Sequence, residues 1–184
     1  CARGLEAEED DAARQLNGSA GNLIVRLPGE DKSRAPLLLL AHMDTVHPTA
    51  GVKPTLADGV LRSDGTTILG VDNRAGVTLI LALIDELIER QLRHRSLEIV
   101  FTVGEELGML GAMALDFSRL KAREGFVFDC TAVPGGYVAS TPTAYDFKIR
   151  ITGKPAHSAV APEKGINALT MATHVMSGFP VGRV

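Results

Sequence analysis

The sequence lacks several features that would place the protein outside the cell, in a membrane or on nucleic acid. Two cysteines among 184 residues are too few for a disulfide framework, which indicates a reducing compartment such as the cytoplasm. No apolar stretch approaches the ~18 residues that a membrane-spanning helix requires. The formal net charge is −3 and the basic residues are scattered, so nothing indicates a partner that is nucleic acid or an anionic membrane surface.

The two ends of the sequence also lack the usual marks of a complete chain. The first residue is not Met, and no signal-peptide pattern follows it. Residues 181–184 contain no helix cap, clear turn or polar tail. We therefore expect the chain to be a fragment of a longer protein.

Strand and helix patterns alternate along most of the chain. Four consecutive leucines within 36–41 are typical of a strand buried inside a parallel sheet, and 97–103 and 125–129 also predict strands. Apolar residues recur at helical spacing over 77–88, and 107–115 predicts a second helix. This alternation predicts an α/β fold with a mixed, largely parallel sheet flanked by helices.

The pattern changes near Ser140, where we place a domain boundary. Alternating apolar residues over 145–151 predict a half-exposed antiparallel strand, and 162–176 predicts a helix. The expected domains are therefore residues 1–139 and the start of an α+β domain over 140–184.

Two shorter signals concern the segment between the first predicted strand and the first predicted helix. Asp58-Gly59, flanked by apolar residues, is typical of a β-hairpin turn. Asp72 or Asn73 stands where the N-cap of the first helix is expected.

A histidine and several acidic residues follow the predicted strands. His42 and Asp44 leave the first strand together, because side chains at positions i and i+2 project on the same side. Parallel strands bring such ends to one edge of the sheet, where clustered carboxylates would repel unless a cation neutralised them. Histidine and carboxylate donors suit Zn²⁺ or a related divalent ion. The other acidic residues near these ends are Asp72, Glu105, Glu106 and Asp129.

Each of these residues taken singly has an ordinary structural explanation. Asp72 could cap a helix, Glu105 and Glu106 could form a solvated helix start, and Asp129 could be a buried acid bonded to backbone donors. Their coincidence at successive strand ends favours a metal site.

Three motifs carry a family resemblance. AHMDTV at 41–46, GVDNRAG at 70–76 and GEELG at 104–108 occur in that order and resemble the motifs of the zinc hydrolases of peptidase family M20, which holds peptidase T and the aminoacylases. With GKPAH at 153–157, the sequence resembles the peptidase T-like branch most. The resemblance implies a cytoplasmic di-zinc exopeptidase that removes residues from the N-terminus of short peptides.

The resemblance also implies a role for each motif residue. His42 and Asp129 would ligate the first zinc ion, Asp72 would bridge the two ions, and Glu106 would ligate the second. The peptide bond after Asp72 would be cis.

The remaining roles that the resemblance implies are catalytic. Asp44 would orient and polarise His42, and Glu105 would be the general base that deprotonates a metal-activated water. Residues 1–139 would form part of the catalytic domain, and 140–184 part of a lid domain through which a homodimer could form. His157 in that lid would assist the oxyanion.

Two departures from the family pattern affect these expectations. The family commonly has Asp-Lys after the bridging aspartate, where this sequence has Asn73-Arg74. The last ligand of the second metal is a histidine beyond the lid domain, and residues 1–184 do not reach it. We therefore expect the isolated chain to be weakly active or inactive.

Two other functions share these residues. One is an amidohydrolase of the same family that deacylates N-acyl amino acids, and only a panel of substrates would separate it from a peptidase. The other is a non-catalytic domain that binds one metal or a peptide. Glu105 counts against the second function, because a binding domain needs no base at that position.

Overall fold

The computed structural model describes residues 5–143, 145 and 147–179. The chain divides between Val138 and Ala139 into two compact units, and each is described by itself. The expected roles of these two parts, catalytic domain and lid, remain predictions.

The first unit contains a five-stranded sheet, a separate two-stranded sheet and three α-helices. Its strands are β1 (Ala7–Glu9), β2 (Leu23–Leu27), β3 (Leu37–His42), β4 (Pro54–Ala57), β5 (Val60–Ser63), β6 (Leu97–Thr102) and β7 (Glu124–Val127). Its helices are α1 (Ala12–Leu16), α2 (Val71–Glu89) and α3 (Leu110–Ala114), followed by a 3₁₀ turn at Phe117–Arg119.

The order of strands in the large sheet is β1-β2-β6-β3-β7. Strand β3 pairs in parallel with β6 on one side and with β7 on the other, and His42 lies opposite Thr102. Strands β2 and β1 extend the sheet through antiparallel pairs. The predicted mixed α/β sheet is confirmed, with its parallel part at β6, β3 and β7.

The centre of the sheet is buried on both faces, as continuous apolar strands predict, whereas the edge strands β1 and β7 are exposed. All six residues of β6 are buried. Leu39 and Ile99 pack with Ile80 of α2 on one face, whereas Val100 packs with Ile24 and Leu115 in a second cluster. Each such side chain stabilises the fold by about 1.5–3 kcal/mol on burial, so the parallel centre is held in place from both sides.

Helix α2 covers the predicted 77–88 segment and confirms the predicted cap. Its regular part begins after Asn73, whose side-chain oxygen accepts a hydrogen bond of 3.0 Å from the backbone N–H of Gly76. Gly76 itself lies against the backbone carbonyl of Phe128, close enough that a Cβ would overlap both that oxygen and the Asn73 oxygen. The first turn of α2 is therefore packed directly on the segment that follows β7.

Helix α3 is shorter than the predicted 107–115 helix. Gly108 and Met109 have positive φ angles of 99° and 59°, so the backbone turns there before the helix begins at Leu110.

The predicted hairpin between β4 and β5 is confirmed. Asp58 and Gly59 both have positive φ, as a type I′ turn requires.

The second unit contains a 3₁₀ turn at Pro162–Lys164 and helix α4 (Ala168–Met176). The single predicted helix over 162–176 is wrong, because Gly165 is extended and α4 starts only after its N-cap Asn167. Among the described residues of 145–151 there is no strand, and residue 146 lies outside them. A strand needs a paired neighbour, and the pairing described in this unit is an isolated bridge between Lys154 and Ile166.

Within the described part of the chain, no helix has both the length and the apolar character that crossing a membrane demands.

The close approach of α2 to the segment after β7 predicts the effect of one methyl group. Gly76→Ala should lower the free energy of unfolding by about 1–3 kcal/mol, because the new Cβ overlaps two oxygen atoms. Urea denaturation would measure the change. Gly18→Ala is the matched control, since its nearest non-neighbouring atom would be 3.9 Å from the new Cβ. Equal stability of the two variants would contradict this packing.

Candidate metal centre

The predicted ligands lie at one edge of the large sheet. His42 is the last residue of β3, and Glu105 and Glu106 follow β6. Asp129 lies just after β7, and Asp72 lies at the start of α2. Because β6, β3 and β7 run in parallel, their carboxyl ends meet at this edge, which is where open α/β sheets bind ligands.

The imidazole of His42 is at the centre of the group and is 2% exposed. Its Nδ1 lies 3.0 Å from the backbone carbonyl of Asp44 and 3.4 Å from that residue's carboxylate. A proton on Nδ1 donates to the carbonyl and leaves the Nε2 lone pair for a metal ion. The ring orientation thus suits a ligand that coordinates through Nε2.

Three carboxylates approach Nε2 of His42. The oxygen of Asp72 is 2.9 Å away, that of Asp129 is 3.8 Å away and that of Glu105 is 3.9 Å away. Donor atoms of His42, Asp72 and Glu106 lie within 4.8 Å of one another, and so do those of His42, Glu105 and Asp129. One nitrogen with several carboxylate oxygens is a donor set that fits zinc or a similar divalent ion.

This grouping differs in one respect from the ligand sets that the family resemblance implies. The resemblance assigns Asp129 and Asp72 to the metal that His42 binds, and it keeps Glu105 as a base. In the structure the carboxylate of Glu105 groups with His42 and Asp129, whereas Glu106 groups with His42 and Asp72. The same residues come together, but the structure does not separate ligand from base.

The carboxylate of Asp44 holds the loop that carries the two glutamates. One of its oxygens accepts a hydrogen bond from the backbone N–H of Glu105 at 3.1 Å, and the other accepts from Glu106 at 3.2 Å. The family resemblance implied a role for Asp44 at His42 alone. These two bonds could not be foreseen, because they join residues that are 61 and 62 positions apart.

The local backbone at Asp72 agrees with the family pattern. The Asp72–Asn73 bond is cis, as the resemblance predicted. The next residue, Arg74, donates to the carbonyl of Leu69 at 3.0 Å and to the side-chain oxygen of Thr49. Arg74 thus ties the loop after β3 to the loop before α2, a contact that the sequence analysis did not assign.

Burial, with the charges of neighbouring carboxylates, raises the pKa of two acidic residues of the cluster. Burial raises the pKa of Glu105, and the charges of Asp129 and Glu106 add to it against the opposing effect of His42. Burial also raises the pKa of Asp129, with the Asp72 carboxylate as the next cause.

The same cluster acts on the imidazole in the opposite sense to burial. Burial lowers the pKa of His42, but the hydrogen bond to Asp72 and the charges of Asp129 and Asp44 outweigh it, so the pKa of His42 is raised. The cluster is therefore an environment that favours added positive charge, whether from protons or from a cation.

His157 lies in the second unit, in an exposed turn. Its ring Nδ1 accepts a hydrogen bond of 3.2 Å from the backbone N–H of Ala159, and its carbonyl accepts from Ala161. The catalytic role expected for His157 remains a prediction.

Comparisons with known proteins point to peptidases. The family model described as "Peptidase family M28" matches residues 22–161. The Bacillus subtilis protein YqjE is 41% identical over 181 residues, which cover 98% of this chain and 48% of that protein. A peptidase T-like protein of Rhizobium meliloti is 34% identical over 124 residues, covering 67% and 30% of the two chains.

Two crystal structures share the fold over nearly the whole chain. The aminopeptidase PepT of Bacillus cereus matches with a TM-score of 0.78 and 37% identity, covering 99% of this chain and 49% of that one. A tripeptidase of Staphylococcus aureus matches with a TM-score of 0.79 and 32% identity, covering 98% and 48%. The chain thus spans about half the length of the relatives that it matches along its whole length.

The raised pKa values predict how the stability of the metal-free chain depends on pH. In the unfolded state Glu105 and Asp129 lose their protons at ordinary pKa values of 4.5 and 3.8, whereas the folded state retains these protons to higher pH. The free energy of unfolding therefore falls as pH rises through the folded pKa values. His42 acts in the same direction. Its protonated form stabilises the folded state fully below pH 6.5, and this stabilisation is lost as pH rises through the raised pKa of His42. Thermal unfolding in the presence of a chelator should show this decline.

Asp129→Asn should remove part of the decline and raise the melting temperature of the metal-free chain at neutral pH, while weakening metal binding. Asn can donate the hydrogen bond to Asp72 that Asp129 makes only when it is protonated. Asp58→Asn, on the exposed hairpin turn, makes the same change in net charge away from the cluster and is the matched control. A metal-free Asp129→Asn variant less stable than wild type at neutral pH would overturn the prediction.

Proposed function

This chain belongs to peptidase family M28, and we propose that the protein containing it is a metal-dependent exopeptidase of the peptidase T-like type that acts at the N-terminus of short peptides. One observation carries the proposal: carboxylates of Asp72, Asp129 and Glu105 converge on Nε2 of the buried His42 at a parallel sheet edge. Such a group of like charges destabilises the fold, and apolar residues in its place would stabilise it. Its presence therefore indicates a function other than folding.

The metal is proposed to be zinc, with two ions in each complete site. His42 and Asp129 would hold one ion, Glu106 would hold the other, and Asp72 would bridge them. Divalent ions held here would supply Lewis-acid chemistry, polarising the scissile carbonyl and lowering the pKa of water. The second ion needs one more ligand than this chain is expected to supply, so we propose that the chain alone is weakly active or inactive.

Glu105 is the proposed general base. Its carboxylate lies 3.9 Å from Nε2 of His42, and burial raises its pKa. A raised pKa makes a carboxylate a better acceptor for a proton taken from attacking water, and lets it return that proton to a leaving amine. Asp44 would keep Glu105 and Glu106 in place through their backbone N–H groups.

Finer features of the proposal depend on the family motifs. The three motifs support grouping with peptidase family M20 alongside the M28 match, with His157 assisting the oxyanion from a lid domain over 140–184. A homodimer through that lid and a cytoplasmic location complete the proposal.

The proposal predicts different effects for the two adjacent glutamates. Glu105→Gln should lower kcat for tripeptide hydrolysis by about 10²–10⁴-fold, because a base is lost, while zinc affinity falls far less. Glu106→Gln should weaken zinc binding, measured by isothermal titration calorimetry. Both variants would be made in the longest protein that contains this chain, and wild-type hydrolysis with and without chelator would be the reference.

A panel of tripeptides, dipeptides and N-acyl amino acids would test the substrate class in the same assays. Faster hydrolysis of the acyl amino acids would replace the peptidase proposal with a deacylase. Absence of both zinc binding and chelator-sensitive hydrolysis in the longest protein would overturn the function altogether.

A further inference from the structure

Asn22 is a polar residue that the proposed function has not used. It is completely buried, at 0% exposure, immediately before β2. A buried side-chain amide costs stability unless its hydrogen-bonding groups find partners, so the partners of Asn22 indicate what it does.

The side chain of Asn22 joins the two ends of the loop that carries the glutamates. Its oxygen accepts a hydrogen bond of 3.1 Å from the backbone N–H of Val103, the first residue after β6. Its nitrogen donates to the carbonyl of Gly111 in the first turn of α3, at 2.9 Å. The residues between these two contacts include Glu105 and Glu106.

The loop is also closed by its own backbone bonds. The N–H of Gly111 donates to the carbonyl of Val103 at 2.8 Å, and the N–H of Leu110 donates to the carbonyl of Gly104 at 2.9 Å. A Cβ on Gly111 would overlap the Val103 carbonyl oxygen and would meet the side-chain oxygen of Asn22. The contact is therefore too close for any side chain to enter between Asn22 and the loop.

Asp10 determines which way the amide of Asn22 faces. One Asp10 oxygen accepts from the Asn22 side-chain nitrogen at 2.7 Å, and the other accepts from the Asn22 backbone N–H at 2.8 Å. With the nitrogen turned to Asp10 and Gly111, the oxygen faces the N–H of Val103.

We propose that Asn22 is a positioning residue of the metal centre, which fixes the two ends of the Glu105–Glu106 loop through Val103 and Gly111. Asp44 holds the same loop at the two glutamate N–H groups. The role of the loop in metal binding rests on the proposed function. The two hydrogen bonds from Asn22 to Val103 and Gly111, which we call the clamp, are observed independently of it. The side chain of Asn22 bonds to Asp10, Val103 and Gly111, so its effect on the metal centre is transmitted through the loop.

Glu98 provides a matched control for a purely structural role. It is a buried polar residue of β6, 3% exposed, and one of its oxygens accepts from the backbone N–H groups of Lys121 and Ala122 at 2.8 Å each. Glu98→Ala and Asn22→Ala each leave two backbone groups without their side-chain partner. The groups that lose their partner in Glu98→Ala belong to another loop.

The test compares the two variants, made in the longest protein that contains this chain, by amide hydrogen exchange and by zinc titration calorimetry. In Asn22→Ala, amide exchange at residues 104–106 should accelerate at least about 10-fold more than elsewhere in the first unit, because local opening of the loop no longer has to break the hydrogen bonds of Asn22. Zinc affinity should fall about 10–100-fold, the usual effect of losing a supporting contact behind a ligand. Glu98→Ala should accelerate exchange at 121–122 and leave zinc affinity within about 3-fold of wild type.

Equal acceleration at 104–106 in both variants would overturn the proposal, and so would wild-type zinc affinity in Asn22→Ala. If the wild-type protein bound no zinc and showed no chelator-sensitive hydrolysis, the proposed function would fail, and the exchange comparison would still decide for or against the clamp. Asp10→Asn covers the case in which Asn22→Ala does not fold. It places a donor opposite the Asn22 nitrogen and should accelerate exchange at 104–106 in the same direction, and unchanged exchange there would count against the clamp.

Discussion

Mutual repulsion among carboxylates around one buried imidazole is the constraint on which the rest of the first unit depends. Asp72, Asp129 and Glu105 all lie within 4 Å of the His42 ring nitrogen. Groups of like charge would move apart in a flexible chain, so each must be held in place by a rigid element of the fold. Strand β3 does this for His42, because it is paired on both sides and packed on both faces.

The loops that carry the acidic residues are fixed by polar contacts in place of apolar packing. Asp44 accepts from two backbone N–H groups of the loop after β6, and Asn73 caps the first turn of α2. These contacts are small in number, and each is worth only about 1–3 kcal/mol when an acceptor is lost. They suffice because they act on short segments whose ends are already held by the sheet.

The sequence predicted the parts of this arrangement that depend on local pattern. Continuous apolar strands predicted a buried sheet, and an i, i+2 pair after the leucines placed His42 and Asp44 at its edge. Residue type and position predicted a helix cap at Asp72 or Asn73, and Asn73 is the residue that forms it. The cross-chain bonds of Asn22, Asp44 and Arg74 could not be predicted, because side-chain amides, carboxylates and guanidinium groups leave no periodic signal for their distant partners. Alternation over 145–151 predicted a strand that the described residues of this segment do not form, since a strand needs a neighbour to pair with.

The hairpin of β4 and β5 forms its own two-stranded sheet, separate from the five-stranded one. It lies in the chain between the residues that supply His42 and Asp72, and Arg74 joins Thr49 to Leu69 on either side of it. The segment that contains the hairpin is thus joined at its two ends by Arg74, outside the exposed strands β4 and β5. A change in the length or composition of these strands would therefore leave His42 and Asp72 in place, which makes the hairpin a suitable point for inserting a tag or probe.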